Sequence, residues 1–142
     1  AVDAPDETSE INDLSIRNGA EVVLGDGCEV STIAQHGGQL QLVLDTSAAT
    51  TIEVFSGRLM IEGSFGITTL TVEGGEVHSS TTGTITTVNH NGGTIDYTLS
   101  DEARTVTTHN LDRGAILKTN PDAVTITNLN EPSGPSTLSV SP

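Results

Sequence analysis

Four histidines, a cluster of acids and a single cysteine are the side chains in this sequence with chemistry to offer. Asp96, Asp101 and Glu102 lie close together and are followed by Arg104. Carboxylates grouped with a cation can do acid–base work on a polysaccharide, provided burial or proximity drives their pKa values apart. These three, however, fall in the longest spacer of the chain, where charged turn residues are expected, and no long insertion offers walls for a cleft. The expectation is that the protein is not an enzyme and has no catalytic residues. A zinc site would need three or four ligands, and the sequence has no Cys-x-x-Cys, His-x-His or His-Glu-x-x-His spacing. No metal and no cofactor are expected. His90 and His109 read as residues of polar parts of a narrow core, close enough to meet; His36 and His78 read as exposed strand or corner residues. Gly25-Asp26-Gly27 matches only a fragment of a calcium β-roll repeat and does not recur at nine-residue spacing. Cys28 has no partner for an internal disulfide and is expected to pack at a corner.

What must position these residues is a small, acidic chain. It has 142 residues, 5 Lys plus Arg against 19 Asp plus Glu, and a formal net charge of −14. That length suits one domain. The charge argues against nucleic acid and against anionic membrane surfaces. Trp is absent and Tyr97, Phe55 and Phe65 are the only aromatic rings besides histidine, so no stacking platform for bases exists. No run reaches the length of a membrane-spanning helix, and the first residues lack a charged-then-apolar leader pattern. Leu, Ile, Val and Phe make up about a quarter of the chain, above the disordered range, and Thr reaches 22 residues. Val, Ile and Thr favour extended backbone, and no window carries helical apolar spacing. The chain reads as β throughout.

It also repeats. Glycines recur at Gly19, Gly38, Gly57, Gly75, Gly93 and Gly114, at spacings of 18 to 21 residues. With each glycine as a zero mark, position −8 reads Ile11, Val30, Ala49, Ile67, Ile85 and Val106, and one more period makes Val124 the seventh member. Position −5 reads Leu14, Ile33, Ile52, Leu70, Val88, His109 and Thr127; position −3 reads Ile16, Gln35, Val54, Val72, His90, Leu111 and Leu129. After the mark, +2 reads Leu40, Leu59, Val77, Ile95 and Ile116, with Val22 one place late, and +4 reads Leu42, Ile61, Ser79, Tyr97 and Lys118. Steps of two are the period of a strand with one buried face. The step of three between −8 and −5 requires a bend, and the glycine marks a second one. Units this short close a core only by stacking. The expected fold is all-β, a parallel β-helix (solenoid) of about six to seven coils with 18–21 residues per coil.

Threonine files support the stacking. Position −7 reads Asn12, Ser31, Thr50, Thr68, Thr86, Thr107 and Thr125; position −6 reads Asp13, Thr32, Thr51, Thr69, Thr87, Thr108 and Ile126. Like residues one above another can exchange hydrogen bonds, and a slip of one residue would break every file together. The competing fold is an antiparallel β-sandwich, because Arg17-Asn18-Gly19-Ala20 and His90-Asn91-Gly92-Gly93 each contain the Asn-Gly hairpin signal. The helix is assigned to 11–129. Residues 1–10 read as an acidic extended arm whose Asp3, Asp6, Glu7 and Glu10 are the candidate partner-binding residues. Residues 130–142 read as a Pro/Ser-rich tail in which Leu138 and Val140 anchor locally. No amphipathic helix is available at either end as a cap, so another surface must cover the exposed strand edges.

The units ITTLTVEGGEV (67–77), ITTVNHNGGTI (85–95) and TVTTHNLDRGAI (105–116) resemble a repeat of β-helical structural proteins of tailed bacteriophages, and less closely those of autotransporter passenger domains and some surface adhesins. The resemblance covers 67–129 well and 11–129 loosely; Gln35 inside its unit and Ser56 in place of the first glycine depart from it. It implies a non-enzymatic virion structural protein, a capsid decoration or cement protein on the head surface. The implied partners are the major capsid protein or another virion protein, with a homo-oligomer as a further option, a trimer being favoured. Two alternatives stand beside it: a phage appendage or adhesin that binds a host glycan, and a bactofilin-like self-polymerising solenoid.

Overall fold

The alternation of β-branched residues with threonine, broken every 18 to 21 residues by glycine, is realised as parallel strands wound into a β-solenoid of about six turns. A computed structural model describes residues 9–25, 28–44, 49–112, 114–120, 122–131 and 137–140, the side chains of 9, 10, 28, 44, 49, 50 and 137–140 excepted. The strands are β1 (Ser9–Ile16), β2 (Glu21–Leu24), β3 (Cys28–Leu44), β4 (Ala49–Gly63), β5 (Ile67–Val72), β6 (Glu76–Ser79), β7 (Ile85–His90), β8 (Thr94–Asp96), β9 (Arg104–Leu111), β10 (Ile116–Thr119), β11 (Val124–Asn130) and β12 (Thr137–Val140). Two sheet faces result. Face A stacks β1, the first half of β3, the first half of β4, β5, β7, β9 and β11. Face B stacks β2, the second halves of β3 and β4, β6, β8, β10 and β12. Every ladder is parallel, which excludes the sandwich: the Asn-Gly elements turn the chain from face A to face B instead of reversing it.

Register follows the files read from the sequence. Leu14, Ile33, Ile52, Leu70, Val88, His109 and Leu129 lie in one line across face A. Val22, Leu40, Leu59, Val77, Ile95 and Leu117 lie in another across face B. Ile33, Ile52, Leu70, Val88, Leu40, Leu59, Val77 and Ile95 are each at most 1 % exposed, so the two faces close on a dry core. Glycine makes the corners. Gly38, Gly57, Gly75 and Gly93 have φ of 71°, 92°, 81° and 69°. A Cβ on Gly75 would lie 2.5 Å from the Gly57 carbonyl oxygen, and one on Gly93 2.6 Å from that of Gly75. Layers stack at these corners backbone on backbone, where only glycine fits.

Several assignments shift. At the sixth corner Ala115 N–H donates to the Asp112 carbonyl at 3.3 Å, and the longer turn puts Leu117 in the inner file. Ile116 faces outward, 36 % exposed, and Thr119 rather than Lys118 takes the next inward place. In the last layer Ile126, not Val124, pairs with Val106; Asn128 takes the −6 place and Leu129, not Thr127, the −5 place. The cause is the turn at Asn120, whose side-chain oxygen accepts from Asp122 N–H at 3.0 Å while its carbonyl accepts from Val124 N–H at 2.8 Å. That turn lengthens the final repeat. Strand pairing also reaches into both flanking stretches: Ser9 and Glu10 belong to β1, and β12 pairs with β10.

Candidate functional site

The polar residues of the inner files are held by the same corners. Gln35 has no solvent exposure; its Nε2 donates to the Gly38 carbonyl at 3.2 Å and to the Arg58 carbonyl at 2.8 Å. His90 sits in the same −3 file and its Nε2 lies 3.1 Å from the Gly93 carbonyl. In both layers a polar side chain three residues before the corner glycine satisfies that glycine's carbonyl, a local contact that places an amide or imidazole inside an apolar wall.

The sequence brings His90 and His109 near each other, and the fold joins them. Both are fully buried, with His90 Nδ1 3.3 Å from His109 Nε2 and His109 Nδ1 3.5 Å from the Tyr97 hydroxyl. Because the Gly93 carbonyl only accepts, the proton positions follow in order. His90 Nε2–H donates to Gly93, His109 Nε2–H donates to His90 Nδ1, and the Tyr97 O–H donates to His109 Nδ1. Burial pushes His90 down to about 4; burial, with His90 alongside, pushes His109 down to about 3. Burial likewise pushes the Tyr97 phenol up. All three are neutral at pH 7.

The acids do not converge on a reacting centre. Asp96 points outward from β8 yet is only 8 % exposed, and accepts from Thr98 N–H at 2.8 Å and Thr98 Oγ1–H at 2.6 Å. Burial works against its carboxylate, but the Thr98 hydrogen bonds and the positive charge of Lys118 and of His78 outweigh it and hold its pKa below the usual range. Asp101 and Glu102 are exposed on the turn before β9. Arg104 is buried and its Nη2 donates to the Tyr97 carbonyl, which ties this turn to the core. Burial lowers the Arg104 pKa against the raising influence of Tyr97, Asp101 and Glu102. The arrangement stitches a turn to the core.

His36 is exposed and stacks on exposed Phe55, ring centroids 4.7 Å apart and interplanar angle 1°. His78 departs from the exposed reading. It lies on β6 with its side chain only 14 % exposed, 4.0 Å from carboxylate oxygens of both Glu76 and Asp96, because neighbouring layers cover it. Among the described residues no group of three or more His, Cys, Asp or Glu is arranged to hold a metal ion, and no helix is long and apolar enough to cross a membrane. Asp3, Asp6 and Glu7 lie outside the described residues, as do the side chains of Glu10 and Cys28.

The outer surface of face A carries two regular files. Thr51, Thr69, Thr87 and Thr108 form one half-buried file, and Glu53, Thr71, Asn89 and Asn110 form the next. Asn110 Nδ2 donates to Asn89 Oδ1 at 2.9 Å, and Asn130 Nδ2 donates to Asn110 Oδ1 at 2.8 Å. This asparagine ladder was not singled out by the glycine-based files, although its members recur at 21 and 20 residues in one register. From β5 to β11 these two files carry hydroxyls and amides and no charge. At their end, Asn91, Asn110, Leu111, Asp112, Asn130 and Glu131 line an open cleft of about 240 Å³. Fold and surface together define the class: a two-faced parallel β-solenoid whose outward files on β5, β7, β9 and β11 are polar and uncharged. Comparison with protein-family models, curated proteins and solved structures gives no match.

Proposed function

We propose that the chain is a non-enzymatic structural protein of a tailed-bacteriophage virion, a head-surface or decoration module that lies against the capsid shell. Its sequence resemblance to phage β-helical repeats, strongest over 67–129, gives the class. The observation that carries the docking mode is the absence of charge from the two outward files of β5, β7, β9 and β11 in a chain of net charge −14. Cores of protein interfaces are depleted in charge, and a sheet of short, ordered threonine and asparagine side chains loses little entropy on docking. Many such contacts, multiplied over a lattice, give avidity without any deep pocket. The test is co-sedimentation of the purified chain with capsids stripped of it. Saturable binding that is lost in Thr69→Glu/Thr87→Glu, with the circular dichroism of the chain unchanged, supports the reading; absence of saturable binding by the wild-type chain overturns it.

A second reading, an appendage that binds a host glycan, is favoured by one feature, the open cleft lined by Asn91, Asn110, Leu111, Asp112, Asn130 and Glu131. Amides and carboxylates of this kind suit sugar hydroxyls. A defined ligand on a glycan array, lost on Asn130→Ala, would favour it over the capsid.

A further inference from the structure

We propose that the C-terminal layers of the solenoid are an acid-triggered latch: protonation of the buried His90–His109 pair opens the stack around β7, β9 and β11 while the layers from β3 to β6 stay closed. The argument starts from the proton order of the chain Tyr97–His109–His90–Gly93. One added proton either enters at His109 Nδ1, which then donates to the Tyr97 oxygen while its Nε2–H still donates to His90 Nδ1, or reverses the His90–His109 bond so that His90 donates from both nitrogens; in both arrangements the Tyr97 O–H loses its acceptor. A second proton has no arrangement, since N–H groups on His90 Nδ1 and His109 Nε2 would face each other across 3.3 Å.

The surroundings offer the charge no relief. In its file His90 lies between Val72 and Leu111, and His109 lies between Val88 and Leu129. Across the core, face B contributes Ile95 and Leu117. A buried ionised group of these layers is Arg104, whose Nη2 donates to the Tyr97 carbonyl, and it has the same sign as an imidazolium. The carboxylates of these layers belong to the outside: Asp96 is held by Thr98, and Asp101, Glu102, Asp112 and Glu131 are exposed, as is Lys118. A buried imidazolium therefore has no counter-ion, and opening the layers to water is the way to solvate it. The depressed pKa values of both rings express the same resistance from the closed side. Layers from β3 to β6 have no buried histidine in their inner files, and in a stacked array each layer is stabilised by its neighbours alone, so opening can remain local.

The direction is fixed by linkage. Well above pH 6.5 the histidines are neutral whether the layers are open or closed, and pH has no effect through them. Below it the open layers bind protons that the closed ones refuse, so the closed population falls as pH drops toward 4.

The test is hydrogen exchange read by mass spectrometry on the full chain at pH 7 and pH 5, each corrected for the intrinsic exchange rate. Peptides covering β7, β9 and β11 should lose at least about tenfold in protection, while those covering β3 to β6 hold theirs. His90→Val/His109→Leu places in each file a residue it already carries elsewhere, Val54 and Val72 in one and Leu14 and Leu70 in the other, and should abolish the loss. Should that variant not fold, imidazole ¹⁵N shifts of the wild type decide: both rings must hold the tautomers given above at pH 7 and change in step with the loss of protection. Uniform loss over all layers, no loss, or loss persisting in a folded double variant would each overturn the latch.

Discussion

Replacing Gly75 and Gly19 separately by alanine divides the cost of a corner into two parts. The two glycines have nearly equal φ, +81° and +80°, so the strain of holding an alanine in the left-handed region is common to both, about 1–2 kcal/mol. They differ in what lies beneath. The space around Gly19 is open to 4 Å, whereas a Cβ on Gly75 would meet the Gly57 carbonyl oxygen at 2.5 Å and the Gly57 nitrogen at 3.0 Å. Both atoms are backbone of the layer below and cannot rotate away. Relief requires the layers to part by the better part of an ångström at that corner, which stretches the neighbouring bonds from Glu73 N–H and Gly74 N–H to the Val54 carbonyl, 2.8 and 3.4 Å long, and strips dispersion contacts nearby. Together these add about 2 kcal/mol, so Gly75→Ala should destabilise by about 3–4 kcal/mol and Gly19→Ala by about 1–2. Urea unfolding followed by far-ultraviolet circular dichroism measures both from the shift in midpoint at constant slope. Equal losses in the two variants would refute the reasoning, because they would mean that nothing is stacked beneath Gly75.

Other expectations follow from the same contacts. Leu70, fully buried in the middle layer, should cost about 2–5 kcal/mol when truncated to alanine, measured by the same unfolding curves. Lowering the pH from 7 to 5 should remove about 2 kcal/mol for each of His90 and His109, since unfolding allows both to protonate, and stability should not change through this pair between pH 7 and 9. Asn110→Ala breaks two ladder bonds at once and should lower stability by about 1–2 kcal/mol, whereas Phe55→Ala, which removes only an exposed stack on His36, should cost less than about 1 kcal/mol by thermal or urea melts.

The solenoid was legible because its register is written twice, once in apolar files and once in glycine spacing. Leu70 and Val88 share a file only if the coils run parallel, and nothing in a hairpin fold would preserve that file through seven layers. The reading slipped where a turn absorbs residues without changing composition. The sixth corner, Asp112 to Ala115, and the turn at Asn120 each lengthen the path, so a count from fixed marks passes Leu117 and Ile126 and lands on Ile116 and Val124. Of the polar residues, the meeting of His90 and His109 follows from their files, but the Tyr97 hydroxyl that completes their chain does not: it comes from the other face, and no count along one strand reaches it. His78 was misread for a related reason. Outward files on a closely stacked sheet cover one another, so pointing outward does not make a side chain exposed.

The most direct test of the central claim, that this rod is part of a virion and docks through face A, is a cryo-electron microscopy reconstruction of the intact particle. The account predicts a rod about 30 Å long, given strand layers about 4.8 Å apart, at regular sites on the head, with the threonine and asparagine files of β5, β7, β9 and β11 turned toward the shell. A particle without that density, or one in which those files face solvent and another surface makes the contact, would contradict it.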